Sequence, residues 1–454
     1  MLKGKNKILA LALAGLFAGF VLIGGASRLP FISKYLQASS VYVRDTPEPI
    51  AIKVASTTQD QAKFAFIAPV VALHEPRPEK LKAIYISSWS AGSATQMKRL
   101  IGLIDRTEIN AVVIDIKDAT GEIAFHVNDP ALKAMGTESN RIGNIDSLIK
   151  ELHAKNIYVI GRVSTFQDPL FAKIHPELAV IRKSDGKFWR DRKGLSWLDA
   201  GAKKTWDYII AIAKESYSRG FDEINFDYIR FPSDGNMKDI AYRFYDEAKL
   251  TKPAQMKLFY EYLHNAMQDS PTPNPSPKER GGIFSSDQGL SSRSEAGRGE
   301  SLVSTAIPHS ADLFGMTTTA DDDMGIGQML TDALPYFDYI CPMIYPSHYG
   351  PGINGYKKPA QYPYEMVAYA LEGALAKASS TDKWQGESLP KGEGLSLPPS
   401  YKKIVPWLQD FDMGATYDAG MVRAQIKATE DAGLTSWLLW DPANRYTEGA
   451  LQKE

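Results

Sequence analysis

Cysteine is almost missing from this chain of 454 residues: Cys341 is the single one. That excludes an internal disulfide and any zinc or iron–sulfur site assembled from several thiolates. Histidine is sparse, with 7 in all, and none forms an HExxH or HxxxH pair, so a zincin-type metal site is excluded as well. No surplus of either charge exists. The 52 Lys and Arg face 53 Asp and Glu, for a net charge of −1. Nucleic-acid-binding domains concentrate basic residues on one surface, and no such partner is expected here. Neither a metal nor a cofactor is called for. At 44% hydrophobic and 23% charged residues the composition is that of a folded chain and not of a disordered one.

Long apolar runs are confined to the amino terminus. Lys3, Lys5 and Lys7 precede an uncharged apolar stretch over residues 8–26 that ends in Gly24, Gly25, Ala26 and Ser27. A cleavable signal has about 7–15 apolar residues and a spanning helix about 20, so the stretch lies between them. Residues 1–27 therefore read as a signal peptide or as an uncleaved membrane anchor with its lysines inside. Both readings place the protein outside the cytoplasm of a bacterial-type cell, secreted or tethered to the membrane by this segment. No cysteine follows the run, which excludes a lipoprotein anchor.

Residues 28–80 carry Pro47, Pro49, Pro69, Pro76 and Pro78 without helical periodicity and read as a linker or stalk. From residue 81 to 454, short strand-like runs alternate with longer amphipathic ones. The strand candidates are AIYISSW from Ala83, AVVIDIKD from Ala111, IYVIGRV from Ile157 and FDEINFDYIRF from Phe221. They continue with ADLFGM from Ala311, FDYICPMIY from Phe337, IVPWLQDF from Ile404 and SWLLWD from Ser436. Between them, residues 97–105, 145–155, 206–219 and 422–432 repeat apolar residues at helical spacing. Eight such units predict an α/β fold, a (β/α)8 TIM barrel. Two stretches break the period: residues 270–301, rich in Pro, Gly, Ser and charge, predict a disordered insertion, and residues 378–400 a long surface loop.

In such a barrel the chemistry belongs at the carboxyl ends of the strands. Period-2 alternation puts Glu223, Asn225 and Asp227 on one face of the fourth strand, groups Val113, Asp115 and Lys117 on the second, and groups Tyr158, Ile160 and Arg162 on the third. Asp115, Lys117, Arg162 and Asp227 are thus expected to converge. One reading is a carboxylate pair flanking a scissile glycosidic bond, with Lys117 and Arg162 keeping the carboxylates ionised and binding substrate; the other is a neutral ionic plug in the barrel mouth. Asp312 in the fifth strand, Asp115, and Asp441 after the eighth compete as partner to Asp227, with Asp312 preferred. Trp89, Tyr228, Tyr345, Trp407 and Trp440 fall at or just past strand ends, where flat rings suit the CH faces of sugars. Asn225, Arg230, His348, Gln409 and Asn444 are further substrate-contact candidates. Asp321, Asp322 and Asp323 precede GIGQMLTDAL and read as a helix amino-terminal cap and not as a metal site.

WSAG at Trp89, VVIDIKD at Val112, FDEINFDYIRFP at Phe221, ADLFGMTTTADDDMGIGQ at Ala311, PMIYPSHY at Pro342, PWLQDF at Pro406 and WLLWDPANRY at Trp437 together resemble the glycosyl hydrolase-like TIM-barrel domain family. The resemblance extends from Leu81 to Tyr446. It implies an exported bacterial barrel of the glycoside hydrolase kind, in which an Asp at the end of the fourth strand, matched here by Asp227, is catalytic. The chain departs from the pattern at the insertion before the fifth strand.

Three functions compete. The first is a glycoside hydrolase acting on an extracytoplasmic poly- or oligosaccharide, with Asp227 as nucleophile or base and Asp312 or Asp115 as its partner. The second is a carbohydrate-binding barrel without catalysis. The third is a lyase or aldolase using Lys117 as a Schiff-base nucleophile, although the neighbouring Asp115 favours an ion pair.

Overall fold

The computed structural model describes residues 73–268, 306–381 and 399–452. The leader, the stalk up to residue 72, the insertion 270–301 and residues 382–398 of the long loop lie outside the described residues. Among the described residues no helix is long and apolar enough to cross a membrane.

Eight parallel strands close into a barrel: β1 (Lys82–Ile86), β2 (Ala111–Lys117), β3 (Tyr158–Ser164), β4 (Glu223–Asp227), β5 (His309–Phe314), β6 (Tyr339–Met343), β7 (Trp407–Gln409) and β8 (Trp437–Trp440). Each pairs with its neighbours in sequence, and β8 closes on β1 through Lys82 opposite Trp437. The expected (β/α)8 architecture is the one observed. Among the described residues every connection after β1 to β7 is helical, through α1 (Ala94–Ile104), α2 (Ile145–His153), α3 (Lys203–Ser218), α4 (Lys252–Gln268), α5 (Leu330–Ala333), α6 (Pro363–Thr381) and α7 (Ala419–Asp431) in turn, with short additional helices at Ser88–Ala91, Pro130–Ala134 and Pro169–Ile174. Helix α6 takes in residues 378–381, which the sequence reading had placed in the loop.

Strand alternation builds two cores. Val112, Ile114, Ile116, Val159, Val163, Ile224, Phe226 and Leu439 face outward and pack with the helices, for example with Met97, Leu100 and Ile104 of α1. Ala83, Tyr85, Val113, Tyr158, Ile160, Cys341, Trp407, Leu438 and Trp440 face inward and fill the lumen. Gly161 of β3 gives room to its neighbours: a Cβ there would meet Ile116 Cδ1 at 2.1 Å and Phe221 Cδ1 at 2.9 Å, so a larger residue forces both to shift.

The lower mouth is closed by the segment before β1. Arg77 enters it, pairs with Glu223 of β4, and lies 3.3 Å from the centroid of the Tyr339 ring. Beside it, His74 stacks on Tyr217 of α3 at 4.0 Å, and the Glu75 amide donates to Asp222 Oδ1 at 2.7 Å. At the opposite end a two-stranded antiparallel ribbon, Ile181–Arg182 with Ile240–Ala241, ties the loop after β3 to the loop after β4.

Asp321, Asp322 and Asp323 do not cap a helix. Asp322 accepts from the Met324 amide (3.0 Å), and Asp323 accepts from Gly325 (3.3 Å) and Gly327 (2.8 Å). Positive φ at Met324, Gly325 and Gly327 keeps the chain out of helix there, and α5 starts only at Leu330, without a side-chain cap.

Candidate active site

Asp115, Arg162 and Asp227 all point into the lumen at the upper rim, as alternation along β2, β3 and β4 requires, and Asp312 of β5 joins them. The Arg162 guanidinium is the hub. Nη1 donates to Asp115 Oδ1 at 2.5 Å, Nη2 to Asp227 Oδ2, and Nε stands 3.6 Å from Asp312 Oδ2. Nε and Nη2 lie on one edge of the planar group, so Asp227 and Asp312 approach it side by side. All four residues are buried, with 1% of Asp312 and 5% of Asp227 exposed. A buried ionic cluster of this kind is a weak device for stability, which favours a chemical role over a plug.

The acids differ in environment. Asp312 Oδ1 accepts from Trp407 Nε1 at 2.7 Å and from Asn225 Nδ2 at 2.9 Å, while Asn225 also donates to Ser310 Oγ at 3.1 Å. Burial, reinforced by the negative charge of Asp227 and only partly offset by Arg162, pushes the Asp312 carboxyl up to about 8. Burial also raises Asp115, against the pull of Arg162. Asp227 Oδ1 accepts the amide of Tyr228 at 2.5 Å, and Tyr228 itself takes a left-handed φ of 53°. A bulky residue in that region marks a constrained turn, here immediately after the acid.

Aromatic rings wall the cluster. Trp440 lies with its ring centroid 5.0 Å from the guanidinium carbon of Arg162 and stacks on Tyr85 at 3.8 Å; Trp407 meets Trp440 edge-on at 5.4 Å. The indole Nε1 of Trp440 is buried without a hydrogen-bond partner. Tyr345, 2% exposed, feels the charges of Asp312 and Asp227, but burial is the larger cause that lifts its phenol well above the ordinary value.

The remaining expected contacts are dispersed. Lys117 is not in the lumen: the β2–β3 register shifts between Asp115 and Lys117, so Lys117 pairs with the outward-facing Val163, and its Nζ bonds Asp168 Oδ2 at 2.8 Å with both side chains fully buried. That placement removes the structural basis for a Schiff-base lysine beside Asp227. Gln409 is turned to scaffolding, accepting from the Ser347 amide (3.2 Å) and donating to the Phe411 carbonyl (2.8 Å). Asn444 likewise binds the Tyr85 carbonyl at 2.9 Å. Arg230 stands over the rings of Trp197 (5.1 Å) and Tyr228 (5.4 Å), and His348 lies against Tyr345 at 5.2 Å. Trp89 is 67% exposed with Arg141 under its ring at 4.8 Å, an outlying platform on the rim. Asp441, raised to about 6 mainly by burial, accepts from the Ala443 amide at 2.5 Å.

Sequence reasoning passed over Tyr85, whose phenol donates to Asp115 Oδ2 at 2.5 Å. Its signal was the same alternation, since Ala83 and Tyr85 share the inward face of β1. Lys193 was missed too. It comes from the loop after β3, and burial lowers its ammonium among Asp191, Asp234, Arg230 and Asp227. No strand period announces that placement. Among the described residues no group of three or more His, Cys, Asp or Glu is arranged to hold a metal ion.

Residues 83–446 match a protein family described as "Putative glycosyl hydrolase domain". No curated protein matches the chain. Among solved structures, a hypothetical protein from Ruminiclostridium thermocellum ATCC 27405 is 39% identical, covering 40% of this chain and 91% of its own, with a TM-score of 0.37. The PgaB (BpsB) glycoside hydrolase domain from Bordetella bronchiseptica is 12% identical, covering 83% of this chain and 100% of its own, with a TM-score of 0.52. The spore cortex-lytic enzyme SleL of Bacillus megaterium QM B1551 is 11% identical, covering 84% and 73%, with a TM-score of 0.41. At 12% identity the PgaB likeness speaks for the barrel fold alone. The family match runs from within β1 to beyond β8 and takes in every member of the guanidinium cluster, and the chain therefore belongs to this family of glycosyl hydrolase domains.

Proposed function

We propose that this glycosidase cleaves an extracytoplasmic poly- or oligosaccharide, with Asp312 protonating the leaving oxygen and Asp227 attacking the anomeric carbon. One arrangement supports the reading: two carboxyls on a common edge of Arg162, one of them pushed up to about 8 by burial next to the other. Opposed environments of this kind are how a carboxyl pair divides acid and nucleophile at neutral pH. Asp312 keeps its proton for the departing oxygen, and Asp227 is the carboxylate. A shared guanidinium edge leaves little room for the sugar-plus-water spacing of about 6.5–9.5 Å; the shorter spacing of about 5–5.5 Å goes with a covalent glycosyl-enzyme. Retention of anomeric configuration follows. Asp115, on the far side of Arg162, holds the guanidinium and takes no proton from substrate. The rings of Trp440 and Tyr345 offer stacking faces at the reacting centre, and Trp89 extends them outward.

The test is a polysaccharide panel scored by release of reducing ends, with NMR of the first-formed anomer. Asp227→Asn and Asp312→Asn are each expected to lower turnover by at least about 100-fold. The rate is expected to fall as pH rises through about 8, where Asp312 loses its proton. Turnover that survives Asp227→Asn, or an inverted first product, would overturn the assignment. One observation favours a second reading, a barrel that only binds carbohydrate: both acids are almost fully buried while Trp89 is 67% exposed. Saturable oligosaccharide binding with no reducing-end release across the panel would decide for it. The lysine-headed apolar leader supports export, and fractionation of expressing bacteria tests that: recovery of the full chain in the cytosol would refute it.

A further inference from the structure

We propose that Tyr85 is a positioning residue of the site: its phenol orients Asp115, and Asp115 in turn fixes the plane of Arg162 against Asp227 and Asp312. The geometry is restrictive at every joint. The Tyr85 hydroxyl donates to Asp115 Oδ2 at 2.5 Å, which leaves Oδ1 to accept Arg162 Nη1 at 2.5 Å. Its ring is stacked on Trp440 at an interplanar angle of 16°. Its own carbonyl is clamped from the loop after β8 by Asn444 Nδ2 at 2.9 Å and by the Tyr446 hydroxyl. The phenol therefore cannot swing aside, and the carboxylate it holds cannot rotate away from Nη1. Arg162 Nε makes no hydrogen bond, so Nη1 on Asp115 and Nη2 on Asp227 together fix the plane of the guanidinium and keep its Nε/Nη2 edge turned toward the two acids. A planar fork transmits orientation in this way because its donors are rigidly linked.

The charged and titratable groups facing this chain of contacts are Arg162 from β3, Asp118 from the loop after β2, Asp227 from β4 and Asp312 from β5. Tyr345, after β6, and Cys341, in β6, face Asp312. Removing the phenolic donor leaves Asp115 Oδ2 unpaired in a buried site, which favours its protonated form. The more Asp115 is protonated the less it draws on the guanidinium, which Nη2 still holds at Asp227, and more of its charge acts on Asp227 and Asp312. Asp312 releases its proton at lower pH as a result.

The test does not depend on finding the substrate. Trp407 Nε1 donates to Asp312 Oδ1, so its indole resonance in the full, 15N-Trp-labelled chain follows the charge of Asp312; the signal is assigned by its loss in Trp407→Phe. Tyr85→Phe is expected to move the midpoint of that titration down by roughly one pH unit. Asp115→Asn, which keeps an acceptor for the phenol and removes the charge, is expected to move it the same way and serves if Tyr85→Phe does not fold. A midpoint that stays at the wild-type pH in the folded variant overturns the proposal. The kinetic consequence rests on the proposed roles of Asp227 and Asp312: the alkaline limb of kcat follows the same downward shift, with KM little changed. A shifted indole titration with an unshifted pH–rate profile would leave Tyr85 in its role and remove Asp312 as the acid.

Discussion

Replacing Arg162 by methionine takes away the guanidinium that touches Asp115, Asp227 and Asp312 and keeps most of the side-chain volume. Breaking a buried pair by deleting one partner costs about 3–5 kcal/mol, because the charge left behind is neither solvated nor compensated. Asp312 already holds its proton at neutral pH, pushed up to about 8 by burial and by Asp227. The loss therefore comes from Asp115 and Asp227, and about 3–5 kcal/mol at pH 7.5 is the expected size. Its pH dependence has a definite sign. Carboxyls stranded in the lumen have folded-state values above the roughly 4 of an unfolded chain, so between those values the folded protein binds the extra protons. Stability then falls as pH rises, and the gap to wild type is wider at pH 8 than at pH 5. Guanidinium chloride unfolding at both pH values, followed by tryptophan fluorescence, measures it. Arg162→Met combined with Asp227→Asn is expected to recover part of the loss, since the amide carries no charge. A difference below about 1 kcal/mol at pH 8, or one independent of pH, would show that water reaches these carboxylates and that the argument from burial is wrong.

Three further outcomes are expected. His74, lowered to about 4 chiefly by burial, takes its proton more readily when unfolded. The stability it contributes is complete above about 6.5 and is lost as pH falls toward 4, and His74→Gln should flatten that part of the stability–pH curve; an unchanged slope would refute it. Gly161→Ala drives a methyl to 2.1 Å from Ile116 Cδ1 and 2.9 Å from Phe221 Cδ1 and should cost about 1–3 kcal/mol, part of it restored by adding Ile116→Val, with thermal unfolding as the readout. Trp89→Ala should leave the unfolding midpoint unchanged, since the ring is 67% exposed. It should weaken oligosaccharide binding in titration calorimetry about 2- to 13-fold, corresponding to the 0.5–1.5 kcal/mol of an aromatic contact.

Strand alternation carried the reading of the sequence as far as alternation holds. It placed Asp115, Arg162, Asn225 and Asp227 inward because β3 and β4, and β2 up to Asp115, are regular. It misplaced Lys117 because one additional residue enters β2 after Asp115, a local irregularity that composition does not betray. The same count applied to β1 puts Tyr85 inward beside Ala83, so its place in the lumen is written in the sequence. Gln409 and Asn444 look like polar substrate ligands from their strand-end positions, yet their amides are engaged with loop backbone, a fact set by loop paths that no period describes. The acidic run at Asp321 resembled a cap only while the turn at Met324 and Gly325 was unknown. Arg77 lies in a proline-rich stretch, and its partner Glu223 stands 146 positions away.

The plug at Arg77 also gives the molecule a direction. The described chain enters through this segment, at the end of the cylinder away from the acids, so chain entry and the guanidinium cluster stand at opposite ends of the barrel.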